Sequence, residues 1–193
     1  MDGRVDDVRS AFAEHTRVVE ALRGAEDDLL RAADMCARSL GSGGKILICG
    51  NGGSAADAQH LAAELVGRYR RERAPWPVIA LNTNSSILTA IGNDYGYDEV
   101  FMRQVEAHGR EGDVLVAIST SGKSPSVLRA VDAASRLGIA TIFMTGQSGR
   151  EYASQADIVL GVPSNETPRI QESHILLGHV LCGLVEDALC EKL

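Results

Sequence analysis

The pattern of polar and apolar positions before residue 45 has the period of a helix. Over residues 4–22 the apolar positions recur at three- and four-residue steps, and residues 25–40 repeat the pattern. The glycine-rich segment GSGG at 41–44 ends the second helix. The pattern therefore predicts two leading helices, which we expect to extend a single domain and to supply oligomer contacts.

After residue 44 the pattern changes to short, continuous apolar runs without polar alternation. Such runs are typical of strands that are buried on both faces. Helical patterns separate them, so the alternation predicts right-handed crossovers and a mainly parallel sheet with helices on both sides. The predicted strands are KILIC, PVIAL, DVLVAIS, ATIFMT and DIVLGV, and helices are expected at 54–69, 85–107, 124–137 and 149–156 and from Thr167 to the end.

Length and charge narrow the classes of function. The 193 residues are enough for one domain with a substantial core. The net charge of −7 argues against a general nucleic-acid surface, because phosphate backbones require clustered lysine and arginine. The most basic run, RYRRER at 68–73, contains Glu72 and is interpreted as a short solvated patch.

Apolar segments and cysteines indicate the compartment. We find no 18-residue apolar stretch that would span a membrane, and the acidic N-terminus lacks the apolar core of a secretory signal. The four cysteines form no CxxC pair, so the default interpretation is reduced, mostly buried thiols. A cytoplasmic protein that binds neither membrane nor nucleic acid is expected.

Loops rich in Gly, Ser, Thr and Asn follow the first three predicted strands. They are GNGGS, NTNSS and STSGKS. Because ligands of open parallel sheets bind outside the carboxyl ends of the strands, one site assembled from these loops is the economical interpretation.

The segment STSGKSPS at 119–126 is the best phosphate cradle in the chain. Ser119, Thr120 and Ser121 precede Gly122, which lets backbone approach a ligand, and Ser124 lies at a helix start, where N–H groups and the helix dipole favour an anion. The alternative is a hydroxyl-rich turn with a helix cap and no ligand. Neither this loop nor GNGGSA matches the nucleotide P-loop, and the latter is only a weak match to GxGxxG.

Histidines and carboxylates on two predicted helices suggest metal or acid–base chemistry. His60 and Glu64 lie four residues apart and share a helix face, which a simple surface hydrogen bond also explains. The last helix contains Gln171, Glu172, His174 and His179 in an otherwise apolar context. Imidazole, carboxylate and amide oxygen together can bind a divalent metal such as zinc, whereas the alternative is a hydrogen-bonded core histidine.

Two further observations qualify these candidates. Gln171 and His179 are separated by roughly 12 Å of helix rise, so a small site would need both side chains to reach towards each other, or ligands from different chains. Asn93 and Asp94 follow a helical pattern and fit either a functional role or an ordinary turn.

Four segments together resemble the sedoheptulose-7-phosphate (phosphoheptose) isomerases of the sugar-isomerase (SIS) superfamily: CGNGGSAADAQHLAAEL, LTAIGNDYGYDEVF, EGDVLVAISTSGKS and RIQESHILLGHVLCGLVE. The resemblance covers essentially the whole chain. It implies a single SIS domain over 1–193, with N-terminal helices at 1–44 and an α/β core and C-terminal helix at 45–193. The implied fold is a flavodoxin-like three-layer α/β sandwich with a five-stranded parallel sheet, assembled as a homotetramer with active sites at subunit interfaces.

The resemblance also implies a reaction and its residues. The family converts sedoheptulose 7-phosphate to D-glycero-D-manno-heptose 7-phosphate, the first step towards activated heptose for surface glycans such as lipopolysaccharide. An enediol intermediate requires an acid and a base, which would be Glu64 and His179. By motif position, Ser119, Thr120, Ser121 and Ser124 would bind phosphate; Asn51, Gly52, Gly53, Glu64, Asn93, Asp94 and Gln171 would contact substrate; and His60, Glu64, Gln171 and His179 would hold one zinc ion per subunit.

One departure and two other function classes bear on this interpretation. Pro168 stands where some members carry an aspartate, so no role of that aspartate transfers to this chain. A non-catalytic SIS paralogue binds the bacterial replication initiator as a tetramer, but it lacks the equivalents of Glu64 and His179, and this chain has both. SIS-domain transcription factors carry a DNA-binding helical domain, which the acidic first 45 residues do not resemble.

Overall fold

The computed structural model describes residues 3–190. Within that range, strands and helices alternate after residue 45 in the order that the hydrophobic pattern predicts. The strands are β1 (Ile46–Gly50), β2 (Val78–Ala80), β3 (Val114–Ser119), β4 (Ala140–Thr145) and β5 (Ile158–Gly161); the α-helices are α1 (Gly3–Ala21), α2 (Glu26–Gly41), α3 (Gly53–Val66), α4 (Ser85–Asp94), α5 (Met102–His108), α6 (Pro125–Arg136) and α7 (Thr167–Cys190).

All five strands are parallel and lie in the order β2-β1-β3-β4-β5. This is the flavodoxin-like order, in which the direction of winding reverses between β1 and β3. Loops that leave these two strands run to opposite faces, so a crevice opens between them at the carboxyl edge. The predicted five-stranded α/β sandwich is confirmed.

The continuous apolar runs are explained by a sheet that is covered on both faces. Along β1, Ile46 and Ile48 belong to a core shared with α2, α3 and α7, whereas Leu47 and Cys49 belong to a core shared with α5 and α6. Every residue of β1 and β3 is buried. At about 25 cal/mol per Å² of apolar area, these two cores provide the main driving force for the fold.

Two predicted helices differ from the observed elements. The pattern over 85–107 is split into α4, a 3₁₀ turn at Tyr97–Glu99, and α5. Gly96 has φ of +93°, a conformation that cannot continue a right-handed helix, so the chain turns there although the apolar spacing resumes afterwards. The predicted helix at 149–156 is a 3₁₀ helix at Gln147–Tyr152.

The last helix, α7, corrects one expectation about apolar stretches. Its 24 residues include an 18-residue window with a mean hydropathy of 1.3, so by length and composition it is able to cross a membrane. The core helix of a soluble protein meets the same criterion, and 44% of this window is buried inside the protein. Its packing against α2, α3 and α1 is that of a core helix.

The cysteines behave as expected. Cys36, Cys49 and Cys182 are buried free thiols and Cys190 is partly buried. Burial raises the pKa of Cys36 and of Cys49 to about 12, which keeps both protonated and unreactive at neutral pH.

Candidate active site

A cavity of about 270 Å³ opens at the point where the winding of the sheet reverses. It is bounded by the loop after β1, the loop after β3 and the first turns of α7. The lining residues include Asn51, Gly52, Gly53, Ser119, Thr120, Ser124 and Gln171. The structure therefore brings together the first and third of the three polar loops that the sequence placed at this edge.

The second polar loop, NTNSS at 82–86, has structural roles instead. Asn84 caps α4 by accepting a hydrogen bond from Ile87 N at 3.1 Å. Asn82 Nδ2 donates to the Ala55 carbonyl at 2.9 Å, which ties this loop to α3. The expectation that all three loops form one site is thus only partly met.

Residues 119–124, called the hydroxyl loop below, join the end of β3 to α6. Ser119 Oγ donates to Ser124 Oγ at 3.3 Å, and Lys123 N donates to Ser121 Oγ at 3.2 Å. Ser124 occupies the N-cap position of α6 but makes no side-chain cap bond, and Pro125 starts the helix. Several hydroxyls and the amino end of a 12-residue helix therefore meet at one edge of the cavity.

Close backbone contacts fix the shape of the hydroxyl loop. Gly122 has φ of +69°, and a Cβ at this position would lie 2.5 Å from Gly149 Cα. Gly146 N donates to the Thr120 carbonyl at 3.0 Å. The loop after β4 thus supports the hydroxyl loop from behind, and glycine is required where the two backbones touch.

The loop after β1 supplies an oriented amide and open backbone. Asn51 Nδ2 donates to Ser126 Oγ at 3.0 Å, while its Oδ1 accepts from the Tyr97 hydroxyl at 2.8 Å. Gly52 has φ of +56°. A methyl group at Gly53 would collide with the side-chain amide of Gln171, so the missing side chain is what allows α7 to reach the cavity.

His60, Glu64 and His179 form a cluster that we call the imidazole group. His60 Nε2 lies 2.9 Å from His179 Nε2 and 3.2 Å from Glu64 Oε1. The three donor atoms lie within 4.8 Å of one another. The structure therefore unites α3 with α7 over 119 residues of sequence separation, which the sequence spacing alone could not demonstrate.

The donor set of the imidazole group suits a divalent metal such as zinc. Two imidazole nitrogens and one carboxylate oxygen match three-ligand catalytic zinc sites, which leave a further position open. Ligands about 2.1 Å from a tetrahedral zinc ion are spaced by roughly 3.4 Å, and the observed separations of 2.9 and 3.2 Å are only slightly shorter. The group can therefore hold a metal ion. Gln171 lies two helical turns before His179 and lines the cavity.

The other predicted contacts are less directly tied to the cavity. Asn93 Nδ2 donates to Asp94 Oδ1 at 2.8 Å, and both side chains are exposed at the end of α4. Tyr97, just beyond them, reaches Asn51.

His174 is fully buried, and neither ring nitrogen has a hydrogen-bond partner among the described residues. Burial lowers the pKa of His174 to about 4, against a smaller opposing effect of the Thr145 backbone.

Two features of the site were missed by the sequence analysis. Asp57 precedes His60 by one turn of α3, and its buried Oδ2 has no hydrogen-bond partner among the described residues; burial raises the pKa of Asp57, against the lowering effect of His60. The interpretation of RYRRER as a solvated patch is wrong for Arg73, whose side chain is only 4% exposed and pairs with Glu186 at 3.2 Å. The sequence feature that could have predicted this pair is Glu186 itself, because a carboxylate in an otherwise apolar helix requires a partner.

Comparison with known proteins identifies the family of the chain. Residues 12–146 match the SIS domain family. The chain is 60% identical over 162 residues to the phosphoheptose isomerase of Rhodospirillum rubrum, covering 84% of this chain and 86% of that one. Its fold is similar to the phosphoheptose isomerase structures from Neisseria gonorrhoeae (TM-score 0.89, 46% identity, 94% of this chain and 98% of that chain) and Francisella tularensis (TM-score 0.90, 37% identity, 95% and 98%).

The SIS match ends before α7, whereas the matches to whole relatives include it. Each of these relatives exceeds the similarity at which a shared family is secure, and their names agree on the enzyme class. The chain, in which the hydroxyl loop lies at the carboxyl edge of a parallel sheet and the imidazole group joins α3 to α7, belongs to the SIS-domain family and, within it, to the phosphoheptose isomerases, enzymes that isomerise a sugar phosphate.

Proposed function

We propose that this chain converts sedoheptulose 7-phosphate to D-glycero-D-manno-heptose 7-phosphate through an enediol, as the first step of activated-heptose synthesis for surface glycans. One observation carries the proposal. The first turns of α3 and α7 line the cavity, and the imidazole group lies further along the same two helices. From Gly53 to His60 the helix rises about 10 Å, which suits an elongated substrate held at both ends.

The hydroxyl loop would bind the phosphate. Ser119, Thr120, Ser121 and Ser124 supply hydroxyl donors, and the start of α6 supplies backbone N–H groups and a favourable dipole. Hydrogen bonds to a charged group contribute about 1.5–3 kcal/mol each, so this end would provide most of the ground-state affinity. Asn51, Gly52, Gly53, Asn93, Asp94 and Gln171 would contact the sugar.

The imidazole group would move the proton between C1 and C2. Glu64 and His179 are the acid–base pair, because an enediol requires one group to take a carbon-bound proton and another to protonate the oxygen. His60 contacts both and holds them at hydrogen-bond distance. This arrangement supports catalysis rather than the purely binding role of the paralogue that lacks both residues.

Zinc, one ion per subunit, is the cofactor we propose for this site. His60, Glu64 and His179 would hold it, with Gln171 as a fourth ligand that must rearrange or come from another subunit, since it lies two turns away. When bound, it would stabilise negative charge on the substrate oxygens.

We also propose that the chain forms a single SIS domain over 1–193 that assembles as a cytoplasmic homotetramer with active sites at subunit interfaces. Val5, Val8 and Phe12 form an apolar stripe on α1, and each is exposed, Phe12 by 70%. Leu176 and Val180 of α7 are exposed as well. Association of such faces removes apolar surface from water.

The turnover experiment tests the proposal directly. Purified protein is incubated with sedoheptulose 7-phosphate, with and without added zinc, and the heptose 7-phosphate product is followed by NMR. We expect conversion, with fructose 6-phosphate as a shorter ketose control converted far more slowly. Absence of product under both conditions would refute the proposed substrate.

Elemental analysis and chelation test the metal separately. We expect about one zinc ion per chain and loss of turnover after chelation, restored by zinc. Full activity of metal-free protein would refute the cofactor while leaving the isomerase reaction in place.

A further inference from the structure

A segment without helix or strand, residues 67–77, lies against α7 next to the imidazole group; we call it the strap. The Tyr69 ring stacks on the His179 imidazole, with centroids 5.6 Å apart and planes 18° from parallel. Gly183, one turn beyond His179, lies beside this ring, and a Cβ there would lie in ordinary van der Waals contact with it, 3.4 Å from Tyr69 Cε1. One face of His179 is therefore covered by the strap.

The backbone of the strap is fastened by one buried carboxylate on α7. Glu186 is 1% exposed in the folded chain. Its oxygens accept backbone hydrogen bonds from Tyr69 N at 3.0 Å, Arg70 N at 2.8 Å and Arg71 N at 3.0 Å. Three consecutive N–H groups that converge on the two oxygens of one carboxylate define the backbone conformation at the residue that carries the stacked ring.

Arg73 completes the fastening and reaches the other helix. Its Nε donates to Glu186 Oε1 at 3.2 Å, and an Nη donates to the Glu64 carbonyl at 3.0 Å. The Trp76 ring covers the guanidinium, 3.5 Å from its carbon to the ring centroid. Glu186 is thus connected through Tyr69 to His179 and through Arg73 to the backbone of Glu64.

The stability of the fold does not by itself explain why a charged pair, Glu186 and Arg73, is buried here. Burial raises the pKa of Glu186, but the hydrogen bonds from Arg70, Tyr69 and Arg71 and the charge of Arg73 outweigh it and lower the pKa overall. A buried ion pair is weak evidence for stability, because apolar residues of similar volume often serve equally well. What an apolar residue would not reproduce is the fixed conformation of Tyr69 and Arg73.

We propose that Glu186 is a positioning residue that fixes the orientation of His179 and the place of Glu64 by holding the strap. The inference rests on the proposed function of these two residues, but it concerns the arrangement that prepares them. Removal of a residue that orients metal ligands without binding the metal itself typically lowers metal affinity or activity by about 10–100-fold.

The test compares Glu186→Gln with Asp187→Asn. The glutamine side chain would keep the volume of Glu186 but lose its charge and one acceptor, whereas Asp187 is a neighbouring carboxylate whose pair with Arg71 at 2.7 Å is half exposed. In Glu186→Gln we expect zinc affinity, measured against a competing chelator, to fall about tenfold or more. We also expect the His179 imidazole signals in ¹⁵N NMR to shift, and kcat to fall more than KM rises. Asp187→Asn should leave all three unchanged.

Variants of Tyr69 test the second link without touching the fastening. Tyr69→Ala should reproduce the loss of zinc affinity and the change in His179 signals, and Tyr69→Phe, which retains the ring, should restore both. The double variant Glu186→Gln/Tyr69→Ala should be little worse than Glu186→Gln alone, because the contact of Tyr69 with His179 is one of the two routes through which Glu186 acts. The two single Tyr69 variants remain informative if Glu186→Gln fails to fold.

A purely structural role gives a different result. Lower thermal stability in Glu186→Gln, with unchanged zinc affinity and unchanged His179 signals in the folded protein, would overturn the proposal, as would wild-type behaviour of Tyr69→Ala. Zinc affinity and NMR do not require turnover. They therefore separate failure of this proposal from failure of the proposed substrate.

Discussion

The hydroxyl loop, at the carboxyl edge of the sheet, and the imidazole group, about 10 Å along α3 from that edge, are built differently. The hydroxyl loop is a continuous segment of six residues whose donors are hydroxyls and backbone N–H groups. The imidazole group takes its side chains from α3 and α7, 119 residues apart in sequence for His60 and His179, and is covered by the strap. The hydroxyl loop is contiguous in sequence, whereas the imidazole group is assembled only when the chain folds.

In the proposed function, this difference separates substrate binding from proton transfer. An anion end made from backbone and hydroxyls has fixed dipoles and no group that titrates near neutral pH. The imidazole group contains two imidazoles and a carboxylate at hydrogen-bond distance. Substitutions in the two regions should therefore change different kinetic parameters.

The largest effect is expected in the imidazole group. Glu64→Gln and His179→Gln should each lower kcat by about 10²–10⁴-fold, because each removes an acid or base. Circular dichroism should show the wild-type helix content, since both side chains are partly exposed and neither belongs to a core cluster. Near-full activity of either variant would remove that residue from the acid–base pair.

A smaller and differently directed effect is expected in the hydroxyl loop. Gly122→Ala places a Cβ against the Gly149 backbone and should displace the loop, so that KM rises about tenfold or more while kcat falls less. Gly112→Ala is the matched control, because its φ of +88° imposes a similar backbone cost, about 1–2 kcal/mol, with open space around the Cβ. Equal kinetics of the two variants would show that the contact with Gly149 does not shape the site.

A change in stability, and not in kinetics, is expected to distinguish two histidines on the same helix. His179 is part of the imidazole group, whereas His174 is buried with a pKa of about 4. The unfolded chain, with an ordinary histidine, takes up a proton more readily, so the contribution of His174 is fully present above about pH 6.5 and is lost as the pH falls towards 4.

Urea titrations check this dependence. The free energy of unfolding should fall by up to roughly 3 kcal/mol through His174 between these pH values, as the shift of the pKa requires. In His174→Leu this part of the pH dependence should disappear. An unchanged slope in the variant would contradict the assignment of His174 as a neutral core residue.

The sequence predicted the features that depend on residues close together along the chain. The apolar runs predicted the parallel sheet because strands buried on both faces leave no polar alternation, and β1 is such a strand. The hydroxyl loop was predicted because its glycine, hydroxyls and helix start are adjacent. The break at Gly96 was missed, since apolar spacing continues on both sides of it while its φ of +93° is a property of the backbone.

The strap shows why the remainder could not be predicted. RYRRER has the composition of a solvated segment, and only the distant Glu186 buries Arg73. Likewise, a spacing of four residues places His60 and Glu64 on one face of α3 but does not say that His179 lies opposite them. Gln171 was grouped with His179 from the resemblance, whereas the structure places it at the cavity, two turns earlier on α7.

In the proposed reaction, one substrate bridges the two regions, with its phosphate at the hydroxyl loop and its reacting carbons at the imidazole group. The most direct measurement is the ratio of kcat/KM for sedoheptulose 7-phosphate to that for unphosphorylated sedoheptulose. Because hydrogen bonds to a charged group contribute about 1.5–3 kcal/mol each, we expect the phosphorylated sugar to be preferred by at least about 100-fold. Equal values for the two sugars, or no conversion of either, would contradict the account.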